Sequence, residues 1–279
     1  MIRRSIYKSP AQLRLMVEPG LATAASLAAV RAAIRPGVTT LELDGLAEAA
    51  IRSRSGVPNF MKEPGYEHTI CASVNEDVVH GIPGPRVLQP GDIVSIDSGA
   101  EVGGWNGDAA ITVVVPDPAR PDEVAAREEL SRVTEQSLWH GVAALARAST
   151  LHEVGTAIEA YVRSQESEGV RYGILTDYVG HGIGRSMHEA PPVFNYAVRQ
   201  AGPAVKPGLV VAIEPMITAG TIDTITQDDD WTVSTTDGSM AAHWEHSVAV
   251  HAGGIWVLTA EDGGAAALAP LGIRVVPIP

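Results

Sequence analysis

A second cysteine is missing. Cys71 stands alone among 279 residues, so no intrachain disulfide can form, and a reducing cytoplasm fits. An excess of positive charge is missing too. Twenty Lys and Arg face 33 Asp and Glu, a formal net charge of −13. That balance disfavours nonspecific contact with nucleic acid or anionic membrane, because both are polyanions. Long hydrophobic runs are absent: the Ala-rich stretch 21–34 is interrupted by Arg31, ends at Arg35 and falls short of a membrane span. Arg3, Arg4 and Lys8 have no apolar run behind them, so the start does not read as a secretory signal. What remains is an ordinary globular composition, 45% hydrophobic and 19% charged. It suits one large domain or two small ones, with a sizeable core.

The clearest break is Pro116-Asp-Pro-Ala-Arg-Pro121, near the midpoint. It separates two halves, about 10–115 and 123–258, of similar layout. In the first half, Leu13, Met16, Val17, Leu27, Val30 and Ile34 fall at helical spacing over 10–35. Pro19-Gly20 predicts an interruption there, since proline lacks a backbone donor. Thr39 and Glu42 form a candidate capping box for a second helix through about Ile51. Thr69–Val74 reads as a strand, followed by a turn at Asn75-Glu76-Asp77. Ile93–Ser98 and Ala110–Val115 read as two more, and the four glycines of Gly99–Gly107 predict the hairpin connection between them. The second half predicts a helix over 123–147, then one from a Thr150/Glu153 capping box to about Glu166. Strands follow at about 209–214, 231–235, 243–251 and 255–259, with a tight turn at Gly253-Gly254. Helices grouped beside antiparallel strands favour an α+β architecture over alternating βαβ units.

One phrase occurs twice. Gln89-Pro-Gly-Asp-Ile-Val-Ser-Ile-Asp97 is echoed by Lys206-Pro-Gly-Leu-Val-Val-Ala-Ile-Glu214. His80-Gly-Ile lies upstream of the first and His181-Gly-Ile upstream of the second; Asp108 and Glu245 lie downstream. Asp97 ends its predicted strand and Asp108 begins the next, so the two carboxylates can face each other. A charged carboxylate at the end of an apolar run is costly to bury unless it is paired or binds metal. Either Asp alone could instead cap a turn. Gly180 and Gly182 free the backbone beside His181 and let another group approach its ring. Alternation puts His243, Glu245 and Ser247 on one strand face, which could also be a solvated one. Together Asp97, Asp108, His181, Glu214 and Glu245 make a candidate ligand set. Four negative charges match two divalent cations, and bridging carboxylates can hold ions roughly 3.5–4 Å apart. An oxygen-rich set with one imidazole does not suit a closed structural zinc site. Mn, Fe, Co and Zn all fit. His68, His246 and Asp228-Asp-Asp230 read as a loop residue, a strand neighbour and a solvated turn rather than as further ligands.

Several stretches recur in one order: Ser73-Val-Asn-Glu-Asp-Val-Val-His-Gly-Ile-Pro83, Gly91–Asp97, Gly107-Asp-Ala-Ala110, Gly180-His-Gly-Ile-Gly-Arg-Ser-Met-His188, Lys206-Pro-Gly208, Ile213-Glu-Pro-Met216 and Trp244-Glu-His246. By these the chain resembles type I methionine aminopeptidases, from about Ser9 to Leu258. The resemblance implies the pita-bread fold: one catalytic α+β domain over 1–279, with pseudo-twofold-related halves around a central antiparallel sheet. It implies a dinuclear centre of divalent metal ions on Asp97, Asp108, His181, Glu214 and Glu245, lowering the pKa of a water. Glu214 would move protons, His188 with a metal would stabilise the developing oxyanion, and His80 would contact the scissile amide nitrogen. The free N-terminal amine would bind a metal and confine cleavage to the first residue.

By the same resemblance Tyr66, Cys71, Met187 and Trp231 would line the methionine pocket. Met187 stands where many members have Phe, and a thioether packs well against another. Glu63-Pro64 in the 60–65 loop, and His243 at a commonly amide position, bear on substrate preference rather than on reaction type. Asn75 and nearby backbone carbonyls would hold a monovalent cation. The implied substrates are N-terminal Met peptides and nascent chains with a small second residue. The implied protein is a cytoplasmic monomer with no nucleic-acid or membrane partner, and without the Cys-rich zinc-finger extension of some relatives. Two alternatives remain. One is a Xaa-Pro aminopeptidase or dipeptidase of the same fold; those usually carry an extra N-terminal domain, and only about eighty residues precede His80 here. The other is a non-catalytic pita-bread binding protein, a type that usually loses the metal ligands.

Overall fold

The computed structural model describes residues 5–279; Arg3 and Arg4 lie outside them. Ser9 caps the first helix, α1 (Pro10–Leu15): its side chain accepts the Gln12 N–H, and Gln12 accepts the Ser9 N–H in return. After Met16 comes α2 (Val17–Ala33). The interruption expected at Pro19-Gly20 falls at Met16 instead. Pro19 sits in the first turn of α2, where an N–H would have no intrahelical partner, so nothing is lost. Gly20 lets the helix press against Leu258, whose carbonyl a Cβ would strike. By length and composition Pro10–Ala33 is apolar enough to cross a membrane, with a mean hydropathy of 1.3, but half of it is buried inside the protein. Its apolar character is explained by packing on the sheet.

In α3 (Thr40–Ser53) the expected capping box forms: Thr39 Oγ1 accepts the Glu42 N–H at 3.1 Å and Glu42 accepts the Thr39 N–H at 2.8 Å. Leu43, Ala47 and Ile51 recur every four residues and are fully buried. The strands of this half are β1 (Val57–Pro58), β2 (Ile70–Val74), β3 (Asp77–Val79), β4 (Ile93–Val102) and β5 (Trp105–Val114). Gly99–Gly107 is therefore mostly strand; only Gly103-Gly104 turns, both at positive φ. Gly99 and Gly107 serve close approach. A Cβ at Gly99 would collide with the Asn59 side chain, and one at Gly107 would come within 2.7 Å of the Pro19 carbonyl in α2.

Beyond Pro121 lie α4 (Pro121–Leu145) and α5 (Glu153–Ser164). The Thr150/Glu153 box is half made: Glu153 accepts from the Thr150 N–H and hydroxyl, but the Thr150 side chain caps nothing. Then come β6 (Gly173–Ile174), β7 (Gly180–Gly182), β8 (Glu189–Val193), β9 (Val210–Ile213), β10 (Met216–Thr218), β11 (Thr224–Thr226), β12 (Val233–Thr235), β13 (Ala241–His243), β14 (Glu245–His251), β15 (Gly254–Val257) and a short α6 (Ala265–Leu268). The tight turn before β15 is centred on Ala252-Gly253, with Gly254 already paired to His251.

The main sheet runs β1-β4-β5-β14-β9-β7-β8, with β2 on β4 and β15 on β14, every pairing antiparallel. Its β5–β14 pairing joins a strand of the first half to one of the second. α2 and α4 pack on the sheet. Leu27, Val30 and Ile111 from the first half share one core with Leu138, Val211 and Val248 from the second, each worth about 1.5–3 kcal/mol when fully buried. A second seam forms where β3 pairs β12. It brings the end of β3, just before His80, beside the start of β12, just after Trp231.

Candidate active site

The ladder of β4 and β5 sets the first two carboxylates. Asp97 pairs with Ala110 and Asp108 with Gly99. The two acids are thus diagonal neighbours on one face, near the middle of long strands rather than at their ends. The glycines that extend the hairpin account for the difference. Glu245 opens β14 opposite Ala110. Ser247, two residues on, fixes the seam: its hydroxyl donates to the Asp108 carbonyl at 2.8 Å and accepts the Asp108 N–H at 3.1 Å. Glu214 follows β9 directly, and His181 is the centre of β7. The glycines beside His181 admit neighbouring strands rather than a group on the ring. A Cβ at Gly180 would strike the Ala212 carbonyl, and one at Gly182 the Ala190 carbonyl.

These side chains converge. Asp97, Asp108 and Glu245 each offer an oxygen within 4.8 Å of the others, and His181, Glu214 and Glu245 offer ligand atoms at the same spacing. His181 Nε2 lies 3.4 Å from Glu214 Oε1 and 4.0 Å from Asp108 Oδ2. His181 Nδ1 lies 3.0 Å from the Gly182 carbonyl. Placing the proton there turns the Nε2 lone pair toward the acids. Asp97 Oδ1, Asp108 Oδ1 and Glu245 Oε1 are buried with no hydrogen-bond partner among the described residues.

Burial pushes the Asp97 carboxyl up to about 7. It pushes Asp108, Glu214 and Glu245 well above the usual carboxylate range, and neighbouring carboxylates add to the effect. Burial pulls His181 down to about 4, with His188 adding. Unpartnered oxygens facing an imidazole lone pair need protons or cations between them. The donor set, four carboxylates and one nitrogen, fits hard or borderline divalent ions.

A cavity of about 160 Å³ opens onto the cluster, well below the roughly 300–1,000 Å³ of sites for drug-sized ligands. The four carboxylates and the imidazole of the cluster line it, together with His80, His188, Tyr66, Cys71, Met187 and Trp231. Cys71 on β2 pairs with Asp97 on β4, so the apolar wall and the acids are adjacent rows of one sheet. Tyr66 packs edge-on to Trp231 at 5.0 Å and donates its hydroxyl to the Ile70 carbonyl at 2.7 Å. Asp229, from the acidic turn, accepts the Trp231 and Thr232 N–H groups and fixes the loop there. Burial and nearby acids keep the Cys71 thiol protonated.

His80 adopts φ +60°, rare for a non-glycine residue. Its ring stands edge-on to Tyr178 at 5.6 Å and to Trp231 at 6.3 Å. His188 stacks edge-on against His181 at 4.4 Å. A His188 nitrogen also falls within 4.8 Å of ligand atoms of Asp108 and His181. His243 Nε2 is buried, unpartnered and 3.8 Å from Glu214 Oε2, and burial pulls its ring down to about 3.

Two lining residues were missed as site residues. Phe60 completes the apolar wall beside Tyr66, and Glu63 lines the cavity, its charge partly opposing the burial that pulls His188 below its ordinary pKa. Phe60 carried a signal, being one of two Phe in the chain. His68 meets Asp44 and His246 meets Thr259, and neither joins a metal-binding group among the described residues.

Residues 14–252 match metallopeptidase family M24. The chain belongs to that family. The chain is 47% identical over 254 residues to "Methionine aminopeptidase 1" of Mycobacterium tuberculosis, covering 90% of this chain and 94% of that one. It is 40% identical to the enzyme of the same name from Bacillus subtilis, over 91% and 98%. A solved methionine aminopeptidase from Thermotoga maritima superposes with a TM-score of 0.84 at 36% identity, over 94% of this chain and all of that one. A prolidase from Pyrococcus furiosus shares the fold at 18% identity and TM-score 0.68. The M24 architecture is the α+β pita-bread fold expected from the resemblance, its antiparallel sheet curled around the acids.

Proposed function

We infer that this M24 peptidase removes the N-terminal methionine from peptides and nascent chains. The observation that carries the reading is adjacency: a floor of four carboxylates and one imidazole meets an apolar wall of Phe60, Tyr66, Cys71, Met187 and Trp231, sized for one side chain. Asp97, Asp108, His181, Glu214 and Glu245 would hold two divalent ions, of Co, Mn, Fe or Zn. Bound there, the metals supply Lewis acidity toward water and the scissile carbonyl.

The chain's own groups supply the rest. Glu214 faces an imidazole on each side, His181 at 3.4 Å and His243 at 3.8 Å, and its carboxylate would accept a proton from the water and return it to the leaving amine. His188 is placed to donate to the oxygen that gains charge. His80, braced by Tyr178 and Trp231, reaches the scissile nitrogen. The wall excludes water around the thioether, and Met187 packs sulfur on sulfur. The resemblance to methionine aminopeptidases implies a small second residue in the substrate.

The whole chain then acts as one catalytic domain, a cytoplasmic monomer without nucleic-acid or membrane partners. A monovalent cation near Asn75 would rest on main-chain carbonyls, because Asn75 Nδ2 already donates to Asp92 and Oδ1 accepts the Ile93 N–H.

Peptide cleavage tests the reading. Metal-loaded protein is offered Met-Ala-Ser, Met-Lys-Ser and Ala-Pro peptides. Release of Met from the first alone supports it; cleavage of the Ala-Pro peptide alone, or of none, overturns it.

A further inference from the structure

The turn that carries Met187 and His188 has no regular secondary structure, yet both of its functional side chains must be held to within a fraction of an ångström. Residues 183–188 leave β7 and enter β8 at Glu189. Glu189 folds its carboxylate back across this turn, where Oε1 accepts the Ser186 N–H at 3.1 Å. The other oxygen, Oε2, meets Lys8 Nζ at 2.7 Å. The Lys8 side chain is only 7% exposed, and a lysine so enclosed is rare unless paired. Gly184 makes room for it: a Cβ there would lie 2.6 Å from Lys8 Cε and 2.9 Å from Glu189 Oε1.

Lys8 is itself anchored. Its N–H donates to the Gly208 carbonyl at 2.7 Å. Tyr7 bridges Leu209, donates its hydroxyl to the Ala204 carbonyl at 2.8 Å, and lies under Lys206 Nζ, 4.1 Å from the ring centroid. Gly208 and Leu209 lead into β9, which delivers Glu214. The N-terminal strap of residues 5–9 is thus tied through its backbone to the approach of the strand leading to Glu214 and, through the Lys8 ion pair, to the turn bearing His188.

We propose that Lys8 is a positioning residue for His188, acting through Glu189. The inference rests on the role assigned to His188 above. Removing the ammonium frees the Glu189 carboxylate to swing toward solvent, and the turn loses its tie to β9. A misplacement of about 1 Å at a reacting group can cost about 100-fold in rate.

The test is a double-mutant cycle on the metal-loaded protein, with kcat and KM for Met-Ala-Ser, metal content and Tm measured throughout. Lys8→Met and Glu189→Gln should each lower kcat about tenfold or more, with KM and metal content little changed. Lys8→Arg should retain most of the activity. In a His188→Ala background, Lys8→Met should cost less than about twofold further, because coupled residues are not additive. Equal losses from Lys8→Met in both backgrounds, or an unchanged kcat, overturn the proposal. Should Lys8→Met fail to fold, Glu189→Gln carries the same cycle. Ring NMR of His188 gives a readout independent of turnover: its signals should shift in Lys8→Met and stay in place in Lys8→Arg, and unshifted signals in Lys8→Met count against the proposal. A wild-type protein that releases no Met would refute the peptidase reading, while the NMR arm would still decide the positioning.

Discussion

Stripping the metals from this protein should make it lose stability as the pH rises above neutrality. In the unfolded chain every Asp and Glu is ionised by about pH 6.5, since their ordinary pKa values lie near 4. In the fold, burial holds Asp97 at about 7, and burial with neighbouring carboxylates pushes Asp108, Glu214 and Glu245 well above their ordinary values. A carboxyl whose folded pKa is raised favours the fold fully below its unfolded pKa. That contribution is lost as the pH rises through the folded pKa. The buried histidines act with the opposite sign: His181, His243 and His246 sit at about 4, 3 and 4. Their effect is complete once the unfolded imidazoles are neutral, about one unit above their ordinary value, near pH 7.5. Between about pH 7.5 and 9 the acid cluster is therefore left in control.

Each proton that the folded state retains and the unfolded state has released costs about 1.4 kcal/mol per pH unit. One such proton across that window is about 2 kcal/mol, or roughly 4–8 °C in Tm for a chain of about this size. Bound cations neutralise the same acids, so loaded protein should show a flat Tm over the window. It should also be more stable, by about 2.7 kcal/mol at a hundredfold excess over Kd. The assay is thermal unfolding of chelator-treated protein in a pH series, repeated with added Mn²⁺ or Co²⁺. Asp108→Asn should reduce the metal-free slope. A metal-free Tm that is constant or rising from about pH 7.5 to 9 would refute the reasoning about the cluster.

Two further outcomes follow from the site. Alanine at His80 or His188 should lower kcat by about 100-fold while metal content, measured by atomic absorption, stays near that of the parent; loss of both ions would sink the roles given to these residues. Gly182→Ala should destabilise the fold by about 1–3 kcal/mol and weaken metal binding, because its Cβ meets the Ala190 carbonyl where β7 and β8 pair; unchanged unfolding in denaturant would show that the strands can part without cost.

The acids were legible because duplication made them so. Asp97 and Glu214 stand at equivalent places in two copies of one phrase, and periodicity placed both copies on strands. The glycines were harder. Gly99 and Gly107 read as loop, but they lie within strands because Asn59 and α2 press on them from distant parts of the chain. Nothing local announces such an approach. The short strands β6, β10 and β11 have two or three residues each, too few for a period of two to show. Phe60 and Glu63 line the cavity because β1 and the following turn deliver them there, a placement set by pairing with Glu101 and Ala100 rather than by any pattern of their own.

The seam at Ser247 has a meaning for how the protein matures. Asp108 and Glu245 come from opposite halves, and the alignment of β5 with β14 sets them close together on one face. A slip of one residue would turn every side chain of the slipped strand to the other face of the sheet. Misaligned chains would therefore present half a ligand set to each face and hold cations poorly. Cations would therefore bind best to chains whose two halves have met in register, and binding to the folded form alone would add to its stability.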